Sequence, residues 1–326
     1  MGALSILFTS IGNRASVILA LSLPLCAYLP SAVSNALLPY MTFIIIGLIS
    51  VAMIRVDLTR VVGHLKNPVS LLIALVVLML AFPLGVHWIA RYFSLAGPVH
   101  IALVLMACAP PLGSAPNLAY LLKLDGELVF NITLAGTAIV PLTAPWIIGI
   151  TLGDQMSFDP WMLFQKLLIT VGSSFLIAIV VRKVLGRERI KRSGAQLDGI
   201  STVIMVLFVA TAMAGVSETI ESDPVYMLFL LSIAFASNFG AQFLFSIAGL
   251  FVRRIFQLFN SGEGMKAESV LSFAMVAGNR NLGLVAAVIP IAFLQEILPF
   301  LALYQVPIYL TPLMGGLFYR YVLRRK

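Results

Sequence analysis

At 326 residues, with 60% of them hydrophobic, 10% charged and a mean hydropathy of +1.04, the chain is far too apolar for a soluble domain. Its net charge of +8 sits on a sequence with hardly any polar segment long enough to fold alone, which points to loops facing anionic headgroups and away from nucleic acid. Cys26 and Cys108 lie in apolar segments and carry no information on redox compartment.

Spans of about 20 apolar residues, the length a helix needs to cross a bilayer, recur ten times: near 15–32, 36–54, 69–92, 98–122, 127–152, 161–185, 197–217, 226–252, 267–290 and 293–319. The expected fold is therefore an all-α polytopic membrane protein with ten transmembrane helices in one domain, 1–326. The first span follows Arg14 in the manner of a signal peptide, but the charge pattern fits only if it is retained. Arg55, Arg60 and Lys66 follow span two, and Lys123 follows span four. Six basic residues from Arg182 to Arg192 separate spans six and seven. Arg253, Arg254 and Lys266 precede span nine, and Arg320, Arg324, Arg325 and Lys326 close the chain. With Arg14 these make 18 of the 21 basic residues, all on the side of the N-terminus. The other side carries Asp154, Asp159, Glu218, Glu221, Asp223 and Glu296, with Arg91 and Lys166 at its edge. The positive-inside rule then puts both termini in the cytoplasm, in what reads as a bacterial inner-membrane protein. Arg280 alone belongs to no loop.

Span four carries Pro110, Pro111, Gly113 and Pro116 in its middle. Proline removes a backbone donor and clashes one turn back, so this segment cannot be continuous helix. Ser114 followed by Pro116 is what the start of a new half-helix looks like. Span nine is interrupted too: residues 271–290 run apolar, break at Gly278-Asn279-Arg280-Asn281, and run apolar again. A guanidinium inside such a segment costs about 3 kcal/mol or more unless it faces water or a partner. Spans four and nine are each fourth in a set of five, and five plus five spans place the two sets in opposite orientations. Paired discontinuous helices in two inverted repeats point to a secondary transporter with a midplane site. The plainer alternative is a proline kink in span four and a packing glycine in span nine, both common in membrane helices.

Pro111-Leu112-Gly113-Ser114-Ala115-Pro116-Asn117, followed by Tyr120-Leu121, resembles the Pro-Gly-Gly-Thr-Ala-Ser-Asn element of the bile acid:sodium symporter family. Gly278-Asn279-Arg280-Asn281-Leu282-Gly283-Leu284 resembles that family's Gly-Met-Gln-Asn-Ser-Gly-Leu element. The Asn67-Pro68 start of span three and the following Pro83 are similar as well. The resemblance implies a panel domain (15–54 and 161–217) and a core domain (69–152 and 226–319). It also implies that helices 4 and 9 are broken and cross in the core, and that substrate binds between the domains as panel and core rock. The departures from the pattern are specific. A sodium-coordinating glutamate of the family is here Val276, a sodium-site glutamine is Arg280, a third-helix glutamine is Leu78, and the serine before the span-four asparagine is Pro116. Sodium needs several oxygen ligands and usually a carboxylate. A fixed cation about 5 Å away opposes it by about 3 kcal/mol at an effective dielectric of about 20. The expectation is that Arg280 takes the place of the family's sodium, its donors meeting carbonyls freed at the breaks. Asn117 is retained and Thr133 aligns with a sodium-liganding threonine, so a single residual sodium site at Asn117 and Thr133 stays open.

Hardly any acidic residue in the spans is placed to pair with Arg280. Asp125 and Glu127 lie at the turn after span four, and Asp198 opens span seven. Half-helix starts favour anions, and guanidinium grips carboxylate in a fork. The expected cargo is therefore a small organic anion, a carboxylate first. The candidate substrate residues are Arg280, Asn281, Asn279, Asn117, Ser114 and Asn131, with Pro110, Pro111, Gly113, Pro116 and Gly278 forming the breaks. The open alternative is an Arg280 held wholly by carbonyls and side-chain amides. Asn238 and Gln242 share a helix face next to Ser237, an arrangement that more often holds helices together than touches substrate. Tyr304 and Gln305 are similar in kind. His64, His87 and His100 show no metal spacing, though one could shuttle a proton. No H-E-x-x-H or G-x-S-x-G motif is present, and no catalytic residue, cofactor, metal or protein partner is expected; sodium is possible but not favoured. Lost sodium ligands leave facilitated diffusion, anion exchange or proton coupling, or export in the manner of arsenite and auxin carriers. A sensor or receptor on a transporter fold is the other class, and a channel is less favoured by the breaks.

Overall fold

The computed structural model describes residues 3–55, 68–95, 97–153, 155, 159–259 and 266–324, nearly all of them helical. Arg60, His64, Lys66, Asn67, Asp154, Arg325 and Lys326, which entered the charge and motif reading, lie outside the described residues.

The chain opens with α1 (Ala3–Asn13) and α2 (Ala15–Ala27), bent 88° from each other. Next come α3 (Ser31–Leu37), a short 3₁₀ turn and α4 (Met41–Ile54), which together form one apolar span. The third span is α5 (Pro68–Val76), a π turn (Val77–Ala81) and α6 (Phe82–Tyr92). The fourth is interrupted: α7 (Gly97–Cys108) stops, the backbone extends, and α8 (Ala115–Leu121) resumes. Then follow α9 (Gly126–Leu152), α10 (Pro160–Leu185), the basic surface helix α11 (Arg187–Arg192), α12 (Gly194–Ala212), the short α13 (Val216–Ser222) and α14 (Pro224–Phe259). The second interrupted segment is α15 (Ala267–Gly278) and α16 (Leu282–Ala286), before the long α17 (Ile291–Arg324). Among the described residues seven helical segments are long and apolar enough to cross a bilayer, or eight if α1 and α2 count as one span. The protein is an all-helical polytopic membrane protein.

Local chemistry accounts for the helix ends. Asp125 caps α9 by accepting from the Leu128 N–H at 3.0 Å, and Asp159 caps α10 by accepting from Trp161 N–H at 2.9 Å, with Pro160 in the first turn. Gly215, at φ +75°, separates α12 from α13, so the seventh span ends at Ala212 and not at residue 217. Ser114 stands at the start of α8 as its sequence suggested, but its side chain makes no capping bond; Pro116 in the first turn supplies the helix-starting geometry instead. The helical chain also begins earlier than residue 15, with α1 ahead of Arg14. Hydrophobic pattern alone placed Arg14 at the membrane edge, whereas α1 continues the apolar chain on its other side. α1 lies directly on α12: a Cβ on Gly199 would sit 2.0 Å from the Phe8 carbonyl oxygen, and one on Gly12 2.0 Å from that of Ala195. Large apolar side chains such as Ile150, Ile169 and Val184 stand exposed on the outside, where hydrocarbon solvates them.

Two packing groups frame the site. α4 packs on α10 and α12, and α14 packs on α15 and α17. α9 touches α10 on one side and α7, α8 and α15 on the other.

Candidate functional site

The two interrupted segments meet backbone to backbone. Leu112 N–H donates to the Asn279 carbonyl at 2.9 Å, and Asn281 N–H donates to that of Pro110 at 2.8 Å. Pro111 and Arg280 thus face each other as an antiparallel bridge. Each break leaves peptide groups that no helix can satisfy, and in hydrocarbon such groups cost several kcal/mol each, on the order of 2–7. Side by side, the breaks satisfy one another.

Arg280 is the largest fully buried side chain, with 0% exposure. Its Nη2 donates to the carbonyls of Ala107 at 2.7 Å and Leu78 at 2.8 Å and approaches Met79 Sδ at 3.7 Å. The sequence explains why those two oxygens are free. Ala107 would bond to the N–H of residue 110 or 111, and both are proline. In the third span the Phe82 N–H goes to Val77 in the wide π turn. The next nitrogen, which Leu78 would need, belongs to Pro83. Three prolines in two spans therefore release the two carbonyls that the guanidinium takes. The Phe82 ring lies 5.7 Å from the guanidinium carbon, close enough for a cation–π contact. Nε and Nη1 have no hydrogen-bond partner, and no carboxylate pairs with Arg280, among the described residues.

Behind the break a polar network ties α15 to α14 and α17. The Gly278 carbonyl accepts from Asn238 Nδ2 at 2.6 Å and from the Tyr304 hydroxyl. Gln242 Nε2 donates to Asn238 Oδ1 at 2.7 Å, and its Oε1 accepts from the Tyr319 hydroxyl at 2.7 Å. Asn279 Nδ2 donates to Met275 O at 2.9 Å, while its Oδ1 accepts from Thr311 at 3.2 Å. Asn238, Gln242 and Tyr304 thus hold helices together, and Gln305 bonds within its own helix to Leu301 O at 3.2 Å. A Cβ on Gly278 would come within 2.2 Å of the Asn238 carbonyl oxygen, so only glycine permits this contact.

On the other face of the crossing lies a cavity of about 400 Å³. Of the residues singled out from sequence, Ser114, Asn117, Asn131, Thr133 and Asn281 line it, together with Gly113 and Pro116 from the first break. Arg280, Asn279, Pro110, Pro111 and Gly278 do not; Arg280 and Asn279 are sealed at 0% exposure. Val276 and Leu78 are also wholly buried. The Thr133 hydroxyl has no partner among the described residues. Residues that the sequence did not single out for this site complete the lining: Arg55, Tyr120, Glu127, Thr137, Ser201 and Met205, with an apolar strip from α4. The signal for Arg55 was its position at the end of an apolar span, where it read as one more loop charge. His87 and His100, unrelated in sequence spacing, touch through Nδ1 and Nε2 at 3.1 Å, with Gln155 Nε2 3.1 Å from His100 Nδ1. Among the described residues no group of three or more His, Cys, Asp or Glu could hold a metal ion.

Two comparisons bear on this geometry. The chain is 21% identical over 232 residues to an uncharacterized protein of Bacillus subtilis (strain 168), YbaS, covering 70% of this chain and 71% of that one. The profile of the Sodium Bile acid symporter family matches residues 39–223, more than half of the chain, and takes in the first break and much of the cavity wall. The motif resemblance, the paired interruptions and this match converge, and the chain belongs to the sodium bile acid symporter family as a membrane-embedded secondary transporter.

Proposed function

We propose that this transporter carries a small organic anion, a carboxylate first, by alternating access, and that Arg280 stands permanently where related carriers seat a sodium ion. The observation that supports this most is the guanidinium itself, wholly buried and bonded to two carbonyls that Pro83, Pro110 and Pro111 set free. A second cation at about 5 Å from it would meet about 3 kcal/mol of repulsion at an effective dielectric of about 20. The substrate sits in the cavity against Ser114, Asn117, Asn131 and Asn281. Arg280 supplies positive potential from beneath the crossing, and Asn279 braces the break.

The architecture proposed with it has ten transmembrane spans in two inverted repeats of five. The long helical segments, the bent pair α1–α2 and the two interrupted segments add up to that number. α2–α4 with α10 and α12 form the panel, and the remaining spans form the core. Both termini lie in the cytoplasm, and the cavity opens on the side that carries most of the basic residues. A second reading, symport with one residual sodium at Asn117 and Thr133, is favoured by the unpartnered Thr133 hydroxyl.

Counterflow of radiolabelled carboxylates in proteoliposomes separates the readings. Exchange that is equally fast with sodium or potassium on both sides is expected. Strict dependence on sodium refutes the Arg280 reading and supports the residual site.

A further inference from the structure

Arg55 is the cation among the described residues that line the cavity, and Glu127 is the acidic one. It closes the C-terminal end of α4 and holds its guanidinium against Asp198 in the first turns of α12, through Nη1 to Oδ1 and Nη2 to Oδ2. Asp198 itself is not among the residues that line the cavity. The two side chains are 38% and 41% exposed, so their mutual attraction is screened and exchanges readily. A guanidinium has five N–H donors, of which this pair engages only the end-on fork. Around Arg55 the wall of α4 is apolar, with Ile45, Ile49 and Met53, whereas the facing wall presents the amides of Asn117 and Asn131.

We infer that Arg55 is the carboxylate-recognising residue of the substrate cavity, and that the substrate's carboxylate displaces Asp198 from it on binding. This rests on the organic-anion reading above and adds to it where the anion is held. The ligand that fits is a monocarboxylate whose apolar edge lies along α4 and whose hydroxyl or carbonyl oxygens meet Asn117 and Asn131. One cation matches one carboxylate, and among the described residues the lining offers a second carboxylate no further cation. Asp198 does two things here. It occupies the fork while the cavity is empty, and it retakes the fork when the ligand leaves.

Titration calorimetry of the purified full-length protein in detergent tests this with four matched probes: 6-hydroxyhexanoate, 6-hydroxyhexanamide, adipate and benzoate. Wild-type protein is expected to bind the monocarboxylates at least tenfold more tightly than the amide, and adipate more weakly than 6-hydroxyhexanoate. Arg55→Gln is expected to bring the acid down to the level of the amide, and Arg55→Lys to fall between the two because it keeps charge without the fork. Asp198→Asn is expected to tighten binding of the acids and leave the amide unchanged, since the competitor has lost its charge. That variant carries the test by itself if Arg55→Gln does not fold. A preference for acid over amide that survives Arg55→Gln, or Asp198→Asn binding acids no better than wild type, overturns the inference while the organic-anion reading stands. No preference for any acid over the amide in wild-type protein overturns both.

Discussion

The place of Arg280 can be tested by trying to return it to a sodium ion. Val276, in the last turn of α15, and Arg280, inside the second break, are both wholly buried and stand four residues apart. The double variant Val276→Glu/Arg280→Gln restores the carboxylate and the amide of the family pattern. In potassium it should be less stable than wild type. Both carbonyls, of Leu78 and Ala107, are served by the one nitrogen Nη2. The shorter glutamine side chain does not carry its amide to that point, and each carbonyl left unsatisfied costs about 1–3 kcal/mol. The new carboxylate, buried without a cation, adds several kcal/mol more, on the order of 3–5. Sodium should return part of this: a ligand present at about 100 times its Kd stabilises by about 2.7 kcal/mol. At about 2–4 °C per kcal/mol, that is a rise in Tm of roughly 5–10 °C. The assay is thermal unfolding in detergent, in sodium chloride against potassium chloride at equal ionic strength. Wild-type protein should unfold at one temperature in both salts, and Arg280→Gln alone, without a carboxylate, should respond little. A wild-type Tm that climbs with sodium by several degrees would show that guanidinium and sodium coexist, and the reasoning would be wrong.

Pro111→Ala gives Ala107 the helical N–H it lacks, in competition with Arg280; exchange in proteoliposomes should fall at least tenfold with little change in Tm. Gly278→Ala drives a Cβ against the Asn238 backbone and the Gln242 side chain, and overpacking of this kind costs about 1–3 kcal/mol, visible as a lowered Tm. Tyr319→Phe leaves Gln242 Oε1 without its donor in the core and should cost about 1–3 kcal/mol by the same assay, whereas Tyr28→Phe, on an exposed side chain, serves as the comparison.

Local chemistry made the breaks legible. Two adjacent prolines and a Gly-Asn-Arg-Asn run forbid continuous helix wherever they stand, and so the interruptions appear where the residues place them. That few acidic residues occur in the spans was equally plain, and among the described residues no carboxylate pairs with Arg280. What escaped was whatever depends on three-dimensional coincidence. Leu78 drew notice as a missing glutamine, yet its contribution is a main-chain oxygen released by a π turn whose cause, Pro83, lies five residues on. Arg55 read as a loop charge because sequence does not show which end of a span borders a cavity. His87 and His100 are thirteen residues apart and meet only because α6 and α7 pack as a hairpin. α1 was missed because Arg14 interrupts the apolar run, and nothing in the pattern says that the chain turns through 88° there and continues.

An arginine joined to the chain by peptide bonds stays behind at every turnover, whereas a bound metal ion departs with the cargo. On the proposed reading, a monoanion therefore crosses with its charge uncompensated unless another ion travels with it. An interior-negative potential of about 100 mV then weighs on that step by about 2.3 kcal/mol. That is enough to hold roughly a fiftyfold excess of the anion outside the cell at balance. On that same reading, two freed carbonyls and a tethered cation bear on the direction of flow: sodium coupling draws a passenger inward, whereas voltage alone expels an anion.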